Sequence, residues 1–225
     1  MDQPRHQISW RDTDGGGRVP VSRDFDDPFF SLDNGLAETR HVFLAGNDLP
    51  ERFRPGFHIA ELGFGTGLNL IAAALAWNDA GLPGQLRFTS FEAFPLSPQD
   101  ARAALAGFPE AAPFVDAIAD ALEGSGHIET DGLSARIIFG DARQTVPLWD
   151  GCADAWFLDG FAPARNPELW EPGLLRAVAA HTAPGGSCAT YSAAGAVRAA
   201  LALAGFAVCR APGYGRKRHM TKGRL

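Results

Sequence analysis

The chain has 225 residues, of which 46% are apolar and 20% charged, and its formal net charge is −6 at pH 7. A chain of this size builds a core without disulfide or metal staples, and this composition excludes a disordered or coiled-coil protein. The longest apolar stretch, around Leu70 to Trp77, is far short of the roughly 20 residues of a membrane span. The polar start, MDQPRHQISWRD, lacks the basic, apolar and small-residue zones of a secretory signal. One cytoplasmic domain over residues 1–225 is expected, with no membrane partner. Cys152, Cys188 and Cys209 are odd in number and widely spaced, so neither a disulfide framework nor a metal site is expected. The acidic balance hides a basic end: Arg210, Arg216, Lys217, Arg218, Lys222 and Arg224 follow one another with no acid between them.

In chain order, Ile8 to Trp10 and Val19 to Ser22 flank DTDGGG, a turn sequence that closes a β-hairpin. Residues 24–45 form an aromatic and acidic bridge. From Phe57 onward, short β-rich segments alternate with Ala/Leu-rich ones, the pattern of a doubly wound parallel sheet. Strands are expected near 57–61, 86–91, 135–139, 153–158 and 187–191. Helices are expected near 67–79, 98–106, 113–122, 144–149, 172–181 and 193–204. In the last helix Val197, Leu201 and Ala204 share one face, which reads as core. After Gly205, residues 206–210 and 218–222 read as two strands around APGYGRK, an antiparallel hairpin that closes the sheet. The division expected is an N-terminal extension over 1–56 and an α/β core over 57–225.

The first core strand runs into Glu61-Leu62-Gly63-Phe64-Gly65-Thr66-Gly67-Leu68-Asn69. Glycines there let the backbone turn sharply and approach a ligand, and the following helix N-terminus favours polar groups. A dinucleotide fingerprint would need glycine where Leu68 stands, and a phosphate loop would need GK[ST]. An acidic residue followed by G-x-G-x-G instead looks like the opening motif of class I S-adenosylmethionine methyltransferases. Glu92, at the end of the second core strand, can accept hydrogen bonds from ribose hydroxyls. Asp141 and Ala142 would lie beside the adenine. Asp159 ends the fourth core strand, where ligands bind in open α/β sheets, inside an irregular loop of glycine and prolines, LDGFAPARNP. It is the candidate catalytic residue. Phe161 and Trp170 could stack on a base, or serve as core.

These blocks, together with SRDFDDPFFSLDNGLAETRHVFL (22–44), SFEAFPL (90–96) and GYGRKRHM (213–220), resemble the methyltransferase module of the bacterial MnmC family, which modifies tRNA. The resemblance runs from about Ile8 to the C-terminus. It implies a Rossmann-like class I fold and methyl transfer from S-adenosylmethionine to the primary amine of 5-aminomethyl-2-thiouridine at the tRNA wobble position. It also implies that Glu61, Gly63, Phe64, Gly65, Thr66, Gly67, Leu68, Asn69, Glu92, Asp141 and Ala142 line the cofactor, and that Asp159 positions the amine. Asp33, Asn34 and Glu38, from the N-terminal block, are expected to meet substrate or cofactor, although a helix starting near Leu36 would use Asn34 as its cap. Phe161, Arg216, Lys217 and Arg218 are expected to meet tRNA. Two-activity relatives continue into an FAD-dependent oxidoreductase that makes the amine; here that step is expected to fall to a separate protein. Two other readings share the same motifs: a small-molecule N- or O-methyltransferase, and an RNA-binding module without catalysis.

Overall fold

The computed structural model describes residues 4–13, 17–31 and 34–225. Near the N-terminus, β1 (Ile8–Asp12) pairs antiparallel with β2 (Arg18–Ser22), in register from Ile8 opposite Ser22 to Asp12 opposite Arg18. Asp14, Gly15 and Gly16 of the connecting turn lie outside the described residues; at its end the Gly17 carbonyl accepts from Thr13 N at 2.8 Å. A two-residue strand β3 (Asp27–Pro28) extends this small sheet. Next come α1 (Gly35–Thr39), a π-helical turn over Arg40–Leu44 and a 3₁₀ turn over Ala45–Asn47.

The large sheet is built from β4 (His58–Leu62), β5 (Leu86–Glu92), β6 (His127–Thr130), β7 (Leu133–Phe139), β8 (Ala153–Leu158), β9 (Thr182–Thr190), β10 (Ala207–Pro212) and β11 (His219–Arg224). Its order is β10-β11-β9-β8-β4-β5-β7-β6. The pairs β9-β8, β8-β4, β4-β5 and β5-β7 are parallel. The C-terminal β10-β11 hairpin closes one edge antiparallel against β9. The other edge is a second hairpin, β6-β7, which is not among the expected elements although its two-residue turn, Asp131-Gly132, is a hairpin signal. Strand order reverses between β4 and β8, so the loops leaving these two strands diverge and leave a crevice at their carboxyl ends.

Helices α2 (Leu68–Asp79), α3 (Pro98–Leu105) and α4 (Val115–Asp120) contribute to one apolar layer. Helices α5 (Ala142–Thr145), α6 (Pro172–Ala180) and α7 (Gly195–Leu203) contribute to the other. The period-two alternation of a strand separates the layers. In β8, Ala155 and Phe157 join the first, while Trp156 and Leu158 join the second. Both faces of the central strands are covered, which is why these strands read as continuous apolar runs. Among the described residues, no helix is long and apolar enough to cross a membrane.

Most expected boundaries moved by one or two residues, and two moved further. The helix expected over 144–149 runs instead over Ala142–Thr145: it begins earlier because Asp141 accepts the Arg143 N–H at 2.9 Å and caps it, and residues 146–149 lie beyond its end. Strand β9 begins at Thr182 rather than near 187, and its register against β8 shifts between Ala153 and Ala155.

Candidate active site

The crevice opens on the turn between β4 and α2. Gly63, Gly65 and Gly67 have φ of +83°, +55° and +83°, a region that side chains rarely adopt. Gly63 donates its N–H to the Phe91 carbonyl at 2.9 Å. A Cβ at Gly63 would stand 2.7 Å from the Asp159 carbonyl oxygen, and one at Gly65 would stand 3.3 Å from Phe29. Bare backbone at these positions lets the turn pack against the loop after β8 and keeps the cavity open.

Three carboxyl groups converge here, each in a different setting. Glu92 ends β5 and is buried; its Oε2 accepts from Gly65 N at 3.0 Å and its Oε1 from Phe94 N at 2.8 Å. Each oxygen keeps a free lone pair. Asp159 ends β8; its Oδ2 accepts from Asn69 Nδ2 at 2.8 Å and its Oδ1 from Gly160 N at 2.9 Å. Burial pushes the Asp159 carboxyl up to about 7, against these hydrogen bonds and the positive charge of Lys217. Glu61 is wholly enclosed, accepting from Ser90 Oγ at 2.6 Å and Asn69 Nδ2 at 2.8 Å, and burial raises it well above the ordinary carboxylate range.

Asn69 joins two of these acids. Its amide nitrogen bonds both Glu61 and Asp159, and its oxygen accepts from Thr39 Oγ1 at 2.8 Å. Both donors of that amide are therefore engaged, and its orientation follows from the network.

The loop after β8 is strapped to the N-terminal sheet. Asp27 Oδ2 accepts from Ala162 N at 2.8 Å, and Arg165 pairs with Asp26 at 2.8 Å. Phe161 stacks on Phe25 at 4.8 Å between ring centroids and meets His6 edge-on at 5.6 Å, while Trp170 donates to its carbonyl at 3.0 Å. On the β9 side, the Tyr191 hydroxyl donates to the Gly160 carbonyl at 2.7 Å. Lys217 Nζ lies 4.0 Å from the Tyr191 ring centroid and 2.8 Å from Glu38 Oε1.

Together these elements enclose a cavity of about 830 Å³. Of the residues expected from the sequence, it brings together Gly63, Phe64, Gly65, Thr66, Leu68 and Asn69 from the turn; Glu92, Asp141, Ala142, Asp159 and Phe161 from later strand ends; and Glu38, Arg216 and Lys217. Four others stand elsewhere. Glu61 does not reach the cavity, because Ser90 and Asn69 take its oxygens inside the fold. Gly67 lies behind the wall as the left-handed residue that starts α2. Asn34 caps α1 by accepting from Ala37 N at 3.0 Å, so the helix uses its side chain. Arg218 is exposed on the β10-β11 loop and is not part of the lining. Asp33 lies outside the described residues. Asp141 lines the cavity with its carboxylate held low by the Arg143 guanidinium.

His6, Phe25, Thr39, Ser90 and Tyr191 are not among the residues expected at the site, although Phe25, Thr39 and Ser90 lie within the blocks 22–44 and 90–96 that carry the resemblance. Thr39 and Ser90 act through partners at separations of 30 and 29 residues, so their roles emerge only when the chain folds. Among the described residues, no cluster of His, Cys, Asp or Glu is arranged to hold a metal ion.

A family profile described as S-adenosyl-L-methionine-dependent methyltransferase matches residues 108–225. The chain belongs to this methyltransferase family. It is also similar to tRNA 5-methylaminomethyl-2-thiouridine biosynthesis bifunctional protein MnmC from Chromobacterium violaceum, at 42% identity over 99% of this chain and 35% of that protein. The MnmC of Caulobacter vibrioides is 45% identical over 94% of this chain and 36% of that protein. The chain thus spans about a third of the length of these relatives. Among solved structures, MnmC2 from Aquifex aeolicus matches with a TM-score of 0.74 and 27% identity, over 97% of this chain and 70% of that one. The bare glycine turn and the buried Glu92 carboxylate present backbone polar groups and two acceptor oxygens at the cavity.

Proposed function

We propose that the protein transfers a methyl group from S-adenosylmethionine to the primary amine of 5-aminomethyl-2-thiouridine at the wobble position of tRNA, giving 5-methylaminomethyl-2-thiouridine. The observation that carries this reading is Asp159: a carboxylate at the β8 end, facing the cavity, fixed by two hydrogen bonds and raised to about 7. The MnmC relatives supply the acceptor by analogy. When bound, S-adenosylmethionine supplies an electrophilic methyl group on a sulfonium sulfur. On this reading Gly63, Gly65 and Leu68 hold its methionine and ribose parts, Glu92 accepts from the ribose hydroxyls, and Asp141 and Ala142 flank the adenine.

An alkylamine has a pKa near 10.4 and is protonated at neutral pH, so it has no lone pair for attack. An ordinary aspartate would take that proton uphill by more than 6 units, or about 9 kcal/mol; at about 7, Asp159 roughly halves that gap. The same carboxylate accepts an N–H and aims the nitrogen lone pair. Phe161, stacked on Phe25 at the cavity wall, gives a flat apolar surface for the thiouracil ring. Arg216 and Arg218, on the loop beside the cavity, neutralise anticodon-loop phosphates. The amine itself is the product of an oxidation that removes a carboxymethyl group, a step that falls to an FAD-dependent oxidoreductase.

The test is nucleoside mass spectrometry after the protein, isotopically labelled S-adenosylmethionine and tRNA bearing the free aminomethyl group are combined. Label in a single N-methyl group on the wobble nucleoside is the expected result. Label on free polyamines with none on tRNA would refute the proposed acceptor.

A further inference from the structure

Among the described residues that line the cavity, Lys217 is the one that carries the acceptor's own reactive group, a primary ammonium on a CH₂. That ammonium is held at the cavity's rim, on a side chain 47% exposed. Its Nζ lies 2.8 Å from Glu38 Oε1 and 4.0 Å from the centroid of the Tyr191 ring. The Glu38 side chain is only 13% exposed. A carboxylate on one side and an aromatic face on the other is the chemistry that recognises an alkylammonium.

This holder is anchored to the reacting centre. Tyr191 donates its hydroxyl to the carbonyl of Gly160, the residue after Asp159. Glu38 sits on α1 directly before Thr39, whose hydroxyl fixes the Asn69 amide that bonds Asp159. Glu38, Tyr191, Asp159 and Lys217 all line this cavity.

The lysine, by contrast, rides on a short loop between β10 and β11. A Cβ at Gly213 would stand against the Lys217 carbonyl, whereas Gly215, at φ +57°, has open space around it. Arg216 and Arg218 flank Lys217 in sequence, so a polyanion that engages them draws on the same loop.

We infer that Glu38 and the Tyr191 ring form the subsite for the acceptor's primary ammonium, and that Lys217 Nζ occupies it as a stand-in until tRNA binding displaces it. The stand-in keeps a buried carboxylate paired in the free enzyme and makes entry of a small amine compete with an ion already in place. Binding of RNA through the flanking arginines then couples recognition of the tRNA to clearing of the subsite. The inference rests on the proposed acceptor being a primary amine.

The experiment measures binding of 5-aminomethyluracil, which carries the ammonium but no phosphate, by calorimetry with S-adenosylhomocysteine present. Lys217→Met is expected to bind it about 5-fold more tightly than the unaltered protein, and Glu38→Gln at least about 5-fold more weakly. Uracil, lacking the ammonium, should show neither change, and unaltered affinity for S-adenosylhomocysteine in both variants reports an intact fold. Equal or weaker binding to Lys217→Met, the same gain with uracil, or no binding to any of the three proteins would overturn the inference. Failure of the acceptor reading is separate: it shows as absence of labelled methyl on tRNA with the unaltered protein, whatever the probe does.

Discussion

Asp159→Asn separates the cost of holding a carboxylate in the crevice from its use. The raised Asp159 carboxyl means that the folded protein prefers it protonated. The change from 3.8 to about 7, at about 1.4 kcal/mol per unit, is an upper bound of about 4 kcal/mol. Asp159 is half-buried and faces an open cavity, so water there reduces the figure to about 2 kcal/mol. Because the folded value lies above the unfolded one, this stability is fully present below about pH 4, is lost as pH rises through about 7, and stays lost above that. Asparagine is neutral throughout, but its amide places a donor against Asn69 Nδ2 or Gly160 N, a penalty of about 1 kcal/mol at every pH. The test is therefore the slope of the variant-minus-wild-type difference, from urea unfolding between about pH 5 and about pH 8. His58, which burial depresses to about 4, gives both proteins the same loss of stability toward acid and cancels in the difference. The variant should gain about 1–2 kcal/mol on wild type across that range, while turnover falls by about 100-fold or more. A pH-independent difference would refute the assignment of a raised Asp159, and near-normal turnover would remove it from the chemistry.

Four further substitutions probe other parts of the site. Glu92→Gln should weaken S-adenosylmethionine binding by about 10-fold or more in calorimetry, through loss of charged hydrogen bonds to the ribose; unchanged affinity would mean that the ribose lies elsewhere. Gly63→Ala should cost about 2–3 kcal/mol in urea unfolding, from positive φ and the clash with the Asp159 carbonyl; a neutral result would show that the two loops are not in contact. Asn69→Ala removes a hydrogen bond that holds the Asp159 carboxyl down, so the rise of kcat/KM with pH should move to higher pH; an acidward move would contradict the network. Arg216→Ala should reduce the salt dependence of tRNA binding by about one phosphate contact, seen as a shallower plot of log affinity against log salt; an unchanged slope would place Arg216 off the RNA.

Much of this fold was legible because parallel strands covered on both faces leave continuous apolar runs, and because Gly63, Gly65 and Gly67 mark a turn that only glycine makes. The C-terminal hairpin was legible too, since APGYGRK punctuates two β-rich runs. The β6-β7 hairpin escaped because His127 and Glu129 are exposed at the sheet edge and Thr130 is half-buried, leaving Ile128 as the sole apolar residue of a four-residue strand, so that the Asp131-Gly132 turn had no strand pattern on its first side. Glu61 read as a cofactor ligand because the motif places it beside the glycines. Only the packing of β4 against β5 shows Ser90 enclosing it from the side. The Lys217–Glu38 pair spans 179 residues and the Asn69–Asp159 bond spans 90, so neither exists until the sheet order brings the chain ends to one crevice.

The most direct test of the account is a crystal structure of the protein with S-adenosylhomocysteine. The account predicts the ribose hydroxyls on the Glu92 carboxylate, the amino-acid part along the Gly63–Gly65 turn, and the sulfur facing Asp159. A nucleoside bound away from Glu92, or a sulfur directed away from Asp159, would contradict it.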